Sequence, residues 1–178
     1  ELTETQHAGL HRECHEVLGQ RVPDGRVLFL CHVDGELMRL VSFNLNGIRS
    51  AATKGLPSWV ESAAIDCMGV QEIKAQAADV EPRFSEMAGL RGHFHYAEKK
   101  GYSGVGLYMR QPPQELITGI GSAEFDAEGR WVEARYDRPG RKLSIISCYF
   151  PSGSSGEERQ QAKFRFLDLI YPHLVALK

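Results

Sequence analysis

Three short apolar runs in this sequence end on residues that could handle a metal ion or a phosphate. Val41-Ser42-Phe43 leads into Asn44-Leu45-Asn46, then Gly47 and Arg49. Cys67-Met68-Gly69-Val70 leads into Gln71-Glu72, with Lys74 two residues on. Leu143 to Cys148 leads into Tyr149, then Pro151-Ser152-Gly153. Asparagine is a poor strand residue, and two of them two apart point to the same side of an extended chain. Strands sharing a sheet would bring these ends to one rim, with two amides, one carboxylate, one phenol and nearby cations. Carboxylate and amide oxygens are hard donors that suit Mg²⁺. That ion takes one or two protein carboxylates and completes its shell with water and substrate phosphate. Cations and a phenol hydroxyl beside it suit a phosphodiester. On spacing alone a blander reading stays open. Asn44, Asn46 and Glu72 would equally serve as strand-end caps bonded to loop backbone, Tyr149 as a packed aromatic and Lys74 as a solvated lysine.

The elements that must position these residues follow from pattern. Residues 1–20 read as a polar helix and 26–33 (RVLFLCHV) as a strand. Asp34-Gly35 is a hairpin dipeptide, and LMRLVSFNL is the strand after it. A helix runs from Trp59 to Ile65 after Pro57, CMGVQ is a short buried strand, and residues 78–90 are helix or loop. HFHYAEKK, GVGLYMR, ELITGIG, RWVEARYD and KLSIISCYF read as further strands, with Arg138-Pro139-Gly140 as a turn between the last two. The final segment reads as a helix capped by Ser155, with Glu157 and Glu158 in its first turn. Phe164, Phe166, Leu167 and Ile170 supply its apolar face. The mixture implies an α/β fold with a mostly antiparallel later half.

Composition bounds the function classes. The chain has 178 residues, 42% hydrophobic and 25% charged, which suits a globular domain with a real core. Its net charge is −2 and its pI about 6.4, so any anionic ligand must be met by a local basic patch. No apolar run approaches the roughly 18 residues of a membrane span, and the first residues carry no signal-peptide pattern. The four cysteines, Cys14, Cys31, Cys67 and Cys148, lack tight spacing, and three of them sit in apolar or strand-like runs, which reads as buried thiols of a reducing, cytoplasmic compartment. His93 and His95 share a strand face, and His7, His11, Cys14 and His15 share a helical face. Neither group has a zinc-motif spacing.

The order NLNGIR, VQEIK, GYSGVGLY, FDAEGR, YFPSGSSGEE and KFRF resembles the exodeoxyribonuclease III and AP endonuclease family, within the endonuclease/exonuclease/phosphatase superfamily. The resemblance covers residues 38–178. It implies part of a four-layer α/β sandwich of the DNase I-like kind, a mixed, mostly antiparallel sheet with flanking helices. It also implies Mg²⁺-dependent (or Mn²⁺-dependent) hydrolysis of DNA backbone phosphodiesters: removal of nucleotides from 3′ ends and nicking beside abasic sites in double-stranded DNA, by a monomer. Carried onto this chain, Asn44 resembles the asparagine that positions the scissile phosphate. Asn46 resembles the second polar residue on the metal side, and Glu72 the metal-ligating glutamate. Lys74 resembles the lysine beside that glutamate, and Tyr149 the phosphate-contacting tyrosine. Asn44, Glu72 and Tyr149 are thus the expected catalytic residues, and Asn46 and Glu72 the expected metal ligands. Arg49, Lys74, Lys99 and Arg159 are expected on a DNA-binding rim, with Lys54 and Lys100 as lesser candidates.

The sequence departs from the family at Ile73, commonly Thr, and at Ser152, commonly Asn; neither change removes a ligand. The family's later G-D-x-N strand and terminal S-D-H motif have no counterpart within residues 1–178. The expectation is therefore an N-terminal portion that is inactive and prone to self-association by itself. Residues 1–37 match nothing in the family and form an extra segment of unknown role. Two other functions compete. A non-catalytic, nuclease-like regulator that binds RNA or protein partners would fit much of the pattern, but the carboxylate of Q-E-I-K favours the nuclease. A phosphatase or phosphodiesterase of the wider superfamily with a small substrate is disfavoured by GYSGVGLY and FDAEGR, which favour the DNA branch.

Overall fold

The computed structural model describes residues 18–21, 27–33, 36–138, 141–153 and 156–177, with side chains described for 38–137, 142–153 and 156–177. In chain order these residues form β1 (Leu18–Arg21), β2 (Val27–Val33), β3 (Glu36–Asn44), α1 (Ile48–Thr53), α2 (Leu56–Ala63), β4 (Cys67–Gln71) and α3 (Ala77–Phe84). Then come β5 (Glu86–Met87), β6 (Leu90–His95), β7 (Val105–Met109), β8 (Glu115–Thr118), α4 (Ala123–Asp126), β9 (Trp131–Arg138), β10 (Arg141–Cys148) and α5 (Glu157–Ala176). One sheet has seven strands in the order β1-β2-β3-β4-β7-β6-β5, and a second has three in the order β10-β9-β8. The β3–β4 pair is parallel, joined by a crossover through α1 and α2, and every other pair is antiparallel.

Period-two alternation on these strands builds three cores between four layers. Met68 and Val70 of β4 and Tyr108 of β7 face the helices, where they pack with Ile48, Val60, Val80 and Phe84. Cys67 of β4 and Val105, Leu107 and Met109 of β7 point the other way, onto Val132 and Ala134 of β9. The opposite face of β9 presents Trp131 to Phe125, Ala162, Phe166 and Ile170 of α4 and α5. The order is helices, seven-stranded sheet, three-stranded sheet, helix: the expected sandwich. Each buried Val, Leu, Ile or Met contributes about 1.5–3 kcal/mol relative to exposure, so the layers are held mainly by this burial.

Several expectations change. Leu18–Arg21 is a strand paired with β2, so the helix expected over residues 1–20 does not reach that far, and residues 1–17 lie outside those described. The short helices α1 and α4 are additions to the sequence reading. The N-cap of α5 is Gly156, not Ser155, which lies outside the described residues. Phe166 and Ile170 are buried as expected, but Phe164 is 47% exposed. Phe166 and Ile170 lie four residues apart on one stripe, and Ala162 completes it. Leu169, Tyr171, Leu174 and Val175 are also exposed, so apolar residues lie all round this helix. Cys67 is buried and Cys148 half-buried. No helix among the described residues is long and apolar enough to cross a membrane.

Candidate active site

Parallel pairing of β3 and β4 sets Asn44 opposite Gln71 and leaves both C-terminal ends on one edge. The chain beyond each end is zipped to the other. Leu45 N donates to Gln71 O at 2.9 Å, Gly47 N to Glu72 O at 2.7 Å and Ile48 N to Ile73 O at 3.0 Å. The β6–β7 loop closes on the far side, where Ile73 N donates to Gly104 O and Lys74 N to Ser103 O. Gly104 sits at φ +81°, and a Cβ there would lie 2.5 Å from Ile73 Cγ1. That close approach accounts for the glycine. β10 arrives from the second sheet. Ser147 Oγ donates to Val70 O and accepts from Gln71 Nε2, both at 3.2 Å, so Tyr149 emerges beside Glu72.

Around the Glu72 carboxylate three donors converge. Asn44 Nδ2 reaches Oε1 at 2.6 Å, Tyr149 Oη reaches the same oxygen at 2.9 Å, and Lys74 Nζ reaches Oε2 at 2.7 Å. Lys74 Nζ also donates to Asn46 Oδ1 at 2.5 Å. Asn44 Oδ1 accepts from Asn46 N at 3.1 Å. The two asparagines do not alternate along one strand as expected: Asn46 has left the strand with φ 46°. Glu72 and Lys74 share that conformation at φ 54° and 47°. Left-handed backbone costs roughly 1–2 kcal/mol per non-glycine residue. Surrounding hydrogen bonds hold these three residues in that conformation.

The electrostatics separate roles. Burial works to raise the Glu72 pKa, but hydrogen bonds from Lys74, Asn44 and Tyr149, with the charge of Lys74, outweigh it and hold the carboxyl below its ordinary value. A carboxylate so stabilised is a poor general base near neutrality and a good ligand. Burial, the bond to Glu72 and that carboxylate's charge push the Tyr149 phenol up to about 12. Tyr149 is therefore a hydroxyl donor at neutral pH.

Glu72 Oε2 and Asn46 Oδ1 both accept from one cation, the Lys74 ammonium, at 2.7 and 2.5 Å. Two hard oxygens at a cation position fit an Mg²⁺-type ion that draws the rest of its shell from water and phosphate. No group of three or more His, Cys, Asp and Glu converges among the described residues. Asn44 is engaged through both side-chain atoms and orients Glu72.

The expected basic rim is only partly assembled. Lys74 lies in the site. Lys99 is exposed, with its ammonium 5.4 Å from the centre of the Tyr102 ring. Arg49 pairs with Asp79 of α3 at 3.3 Å. Arg159 is taken up by Glu128 at 3.0 Å and by the Tyr102 hydroxyl at 3.0 Å. Sequence reasoning missed Tyr102, Glu128 and Arg130, although they stand inside the GYSG and EGR motifs.

The sequence profile described as the Endonuclease/Exonuclease/phosphatase family matches residues 41–174. The chain is similar to an exodeoxyribonuclease of Bacillus subtilis, 29% identical over 141 residues, which are 79% of this chain and 53% of that protein. It is 31% identical over 137 residues to exodeoxyribonuclease III of Haemophilus influenzae, covering 77% and 49%. A DNA-(apurinic or apyrimidinic site) endonuclease of Dictyostelium discoideum is 29% identical over 138 residues, covering 77% and 37%. The crystal structure of the Xenopus laevis APE2 catalytic domain superposes with a TM-score of 0.62 at 27% identity, covering 75% of this chain and 52% of that one. The chain spans about half, or less, of the length of these proteins.

Proposed function

Because this chain belongs to the Endonuclease/Exonuclease/phosphatase family, we propose that its full-length protein is a divalent-metal-dependent DNA-repair nuclease that hydrolyses backbone phosphodiesters. Its substrates are duplex DNA with abasic sites and DNA 3′ ends. The relatives' names, exodeoxyribonuclease and apurinic or apyrimidinic endonuclease, support that substrate class. The observation that carries the reading is the convergence on Glu72 of Asn44, Tyr149 and Lys74 from three separate strand ends.

Glu72 and Asn46 would hold the ion, with Mg²⁺ the best match to their oxygens. Bound there, it supplies Lewis-acid stabilisation of charge on a phosphate oxygen. Tyr149 keeps its proton at neutral pH and would turn it from Glu72 to a phosphoryl oxygen, while Asn44 Nδ2 carries a second hydrogen that it would donate there as its first stays on Glu72. Lys74 adds a positive charge that neutralises the approaching diester. The backbone at Ser103 accepts from Lys74 N at the same edge, and Lys99, beside the Tyr102 ring, would offer a charge to the flanking strand. The test is cleavage of a duplex with one abasic site by the full-length protein, with Mg²⁺ and with Mg²⁺ chelated. Strand scission only with the ion supports the reading, and intact DNA under both conditions overturns it.

A further inference from the structure

The E-G-R motif, Glu128-Gly129-Arg130, lies outside the cluster that contacts Glu72, yet it holds a deeply buried charge. Arg130 is 1% exposed. Its Nε donates to Glu128 Oε2 at 2.5 Å, its Nη1 to Tyr149 O at 2.7 Å and its Nη2 to the Tyr102 hydroxyl at 3.1 Å. Its guanidinium lies 5.2 Å from the centre of the Tyr149 ring, and its own carbonyl accepts from Tyr149 N at 3.1 Å. Tyr149 is thus gripped by one residue at its amide N–H, its carbonyl and its ring, while its hydroxyl reaches Glu72. Glu128 also accepts from Arg159 of α5 at 3.0 Å, and the Tyr102 hydroxyl donates to it at 3.3 Å. Gly129 makes the motif possible. It sits at φ +60°, and a Cβ would fall 2.5–2.6 Å from the backbone of residues 95–97. Stability alone does not explain such a buried ion pair, because well-packed apolar residues often replace one without loss. Its geometry does what apolar packing cannot: a planar fork fixes three acceptors at once.

We propose that Arg130, held by Glu128, is a positioning residue of the site: it sets where the Tyr149 phenol stands against Glu72 and where the Tyr102 hydroxyl stands beside them. This rests on the nuclease reading for its catalytic consequence, though not for its geometry. Lysine keeps the charge of Arg130 but loses the fork. In the full-length protein, Arg130→Lys and Tyr149→Phe should each lower kcat on abasic-site duplex by roughly 10- to 100-fold, with KM changed less than about threefold. Residues that act as a unit are not additive, so the double variant should fall within about threefold of the worse single one. Losses that multiply, or an Arg130→Lys kcat near that of the unaltered protein, would overturn the proposal.

A second measurement needs no activity. With ¹³C-labelled tyrosine rings, Arg130→Lys and Glu128→Gln should both move the Tyr102 and Tyr149 resonances and leave Tyr108 and Tyr171 in place. The Glu128→Gln variant keeps both arginines and the size of the side chain, so it guards against misfolding of the other. Should the protein cleave no DNA, the nuclease reading fails and the resonances decide alone; Tyr102 and Tyr149 signals that stay fixed overturn the positioning role.

Discussion

Glu72→Gln separates the catalytic and structural roles of the cluster, because it keeps the shape and removes only the charge and one acceptor. In the folded protein Oε1 accepts from Asn44 and Tyr149, and Oε2 accepts from Lys74. Glutamine offers one acceptor oxygen and one NH₂ group. Its best orientation keeps the oxygen on Asn44 and Tyr149 and turns NH₂ towards the Lys74 ammonium, donor against donor. One charge-assisted bond is lost outright, worth about 1.5–3 kcal/mol when shielded from water. The Lys74 side chain is 34% exposed and can turn to solvent, which discounts the loss to about 1 kcal/mol. The two remaining bonds weaken as their acceptor becomes neutral, adding up to about 1 kcal/mol. The expected stability change is therefore about 1–2 kcal/mol, read as a lower urea midpoint with an unchanged slope. The expected rate loss on abasic-site duplex at saturating Mg²⁺ is far larger, at least about 100-fold. A variant cleaving within about threefold of the unaltered rate would refute the ligand role. A stability loss above about 4 kcal/mol would show that Glu72 acts through folding.

Acid should erase the stability difference between the unaltered protein and Glu72→Gln. The Glu72 pKa is depressed in the fold, so its contribution is present above the unfolded value of about 4.3 and is lost as pH falls through the folded one; a gap undiminished at low pH would contradict the charged-acceptor account. The Tyr149 pKa is raised to about 12, so its contribution is full below about pH 10 and lost between there and 12, and a Tyr149-dependent fall in activity near neutral pH would sink the donor role. Gly129→Ala should destabilise by about 3 kcal/mol or more, through left-handed backbone and overpacking on the residue 95–97 backbone, and near-native thermal stability would refute the close approach. Lys99→Ala should reduce the slope of log K against log salt for duplex binding by about 0.9, whereas an unchanged slope would remove Lys99 from the DNA edge.

Much of the fold was legible because strand periodicity is local. VLFLCHV, CMGVQ and KLSIISCYF declare themselves by their own residues. Helix α1 did not: IRSAAT is six residues long, has no side-chain cap, and is fixed by its bonds to residues 72 and 73. Glu72, Lys74 and Tyr149 were legible as ligand-like groups at strand ends. Asn46 was read as strand alternation, but the Lys74 contact and the left-handed turn place it. Arg159 read as a rim cation because its partner, Glu128, lies 31 residues earlier. The same limit hid Arg130 and Tyr102, since nothing near either residue announces that β10 will bring Tyr149 against Arg130.

The central claim is that Glu72 and Asn46 hold a divalent ion at this rim. Titration of the full-length protein with Mn²⁺, followed by the loss of free-ion paramagnetic resonance signal, tests it most directly. The account predicts one bound ion per chain in the unaltered protein and affinity weakened at least about tenfold, or 1.4 kcal/mol, by Glu72→Gln. Equal Mn²⁺ affinity in the two proteins would contradict it.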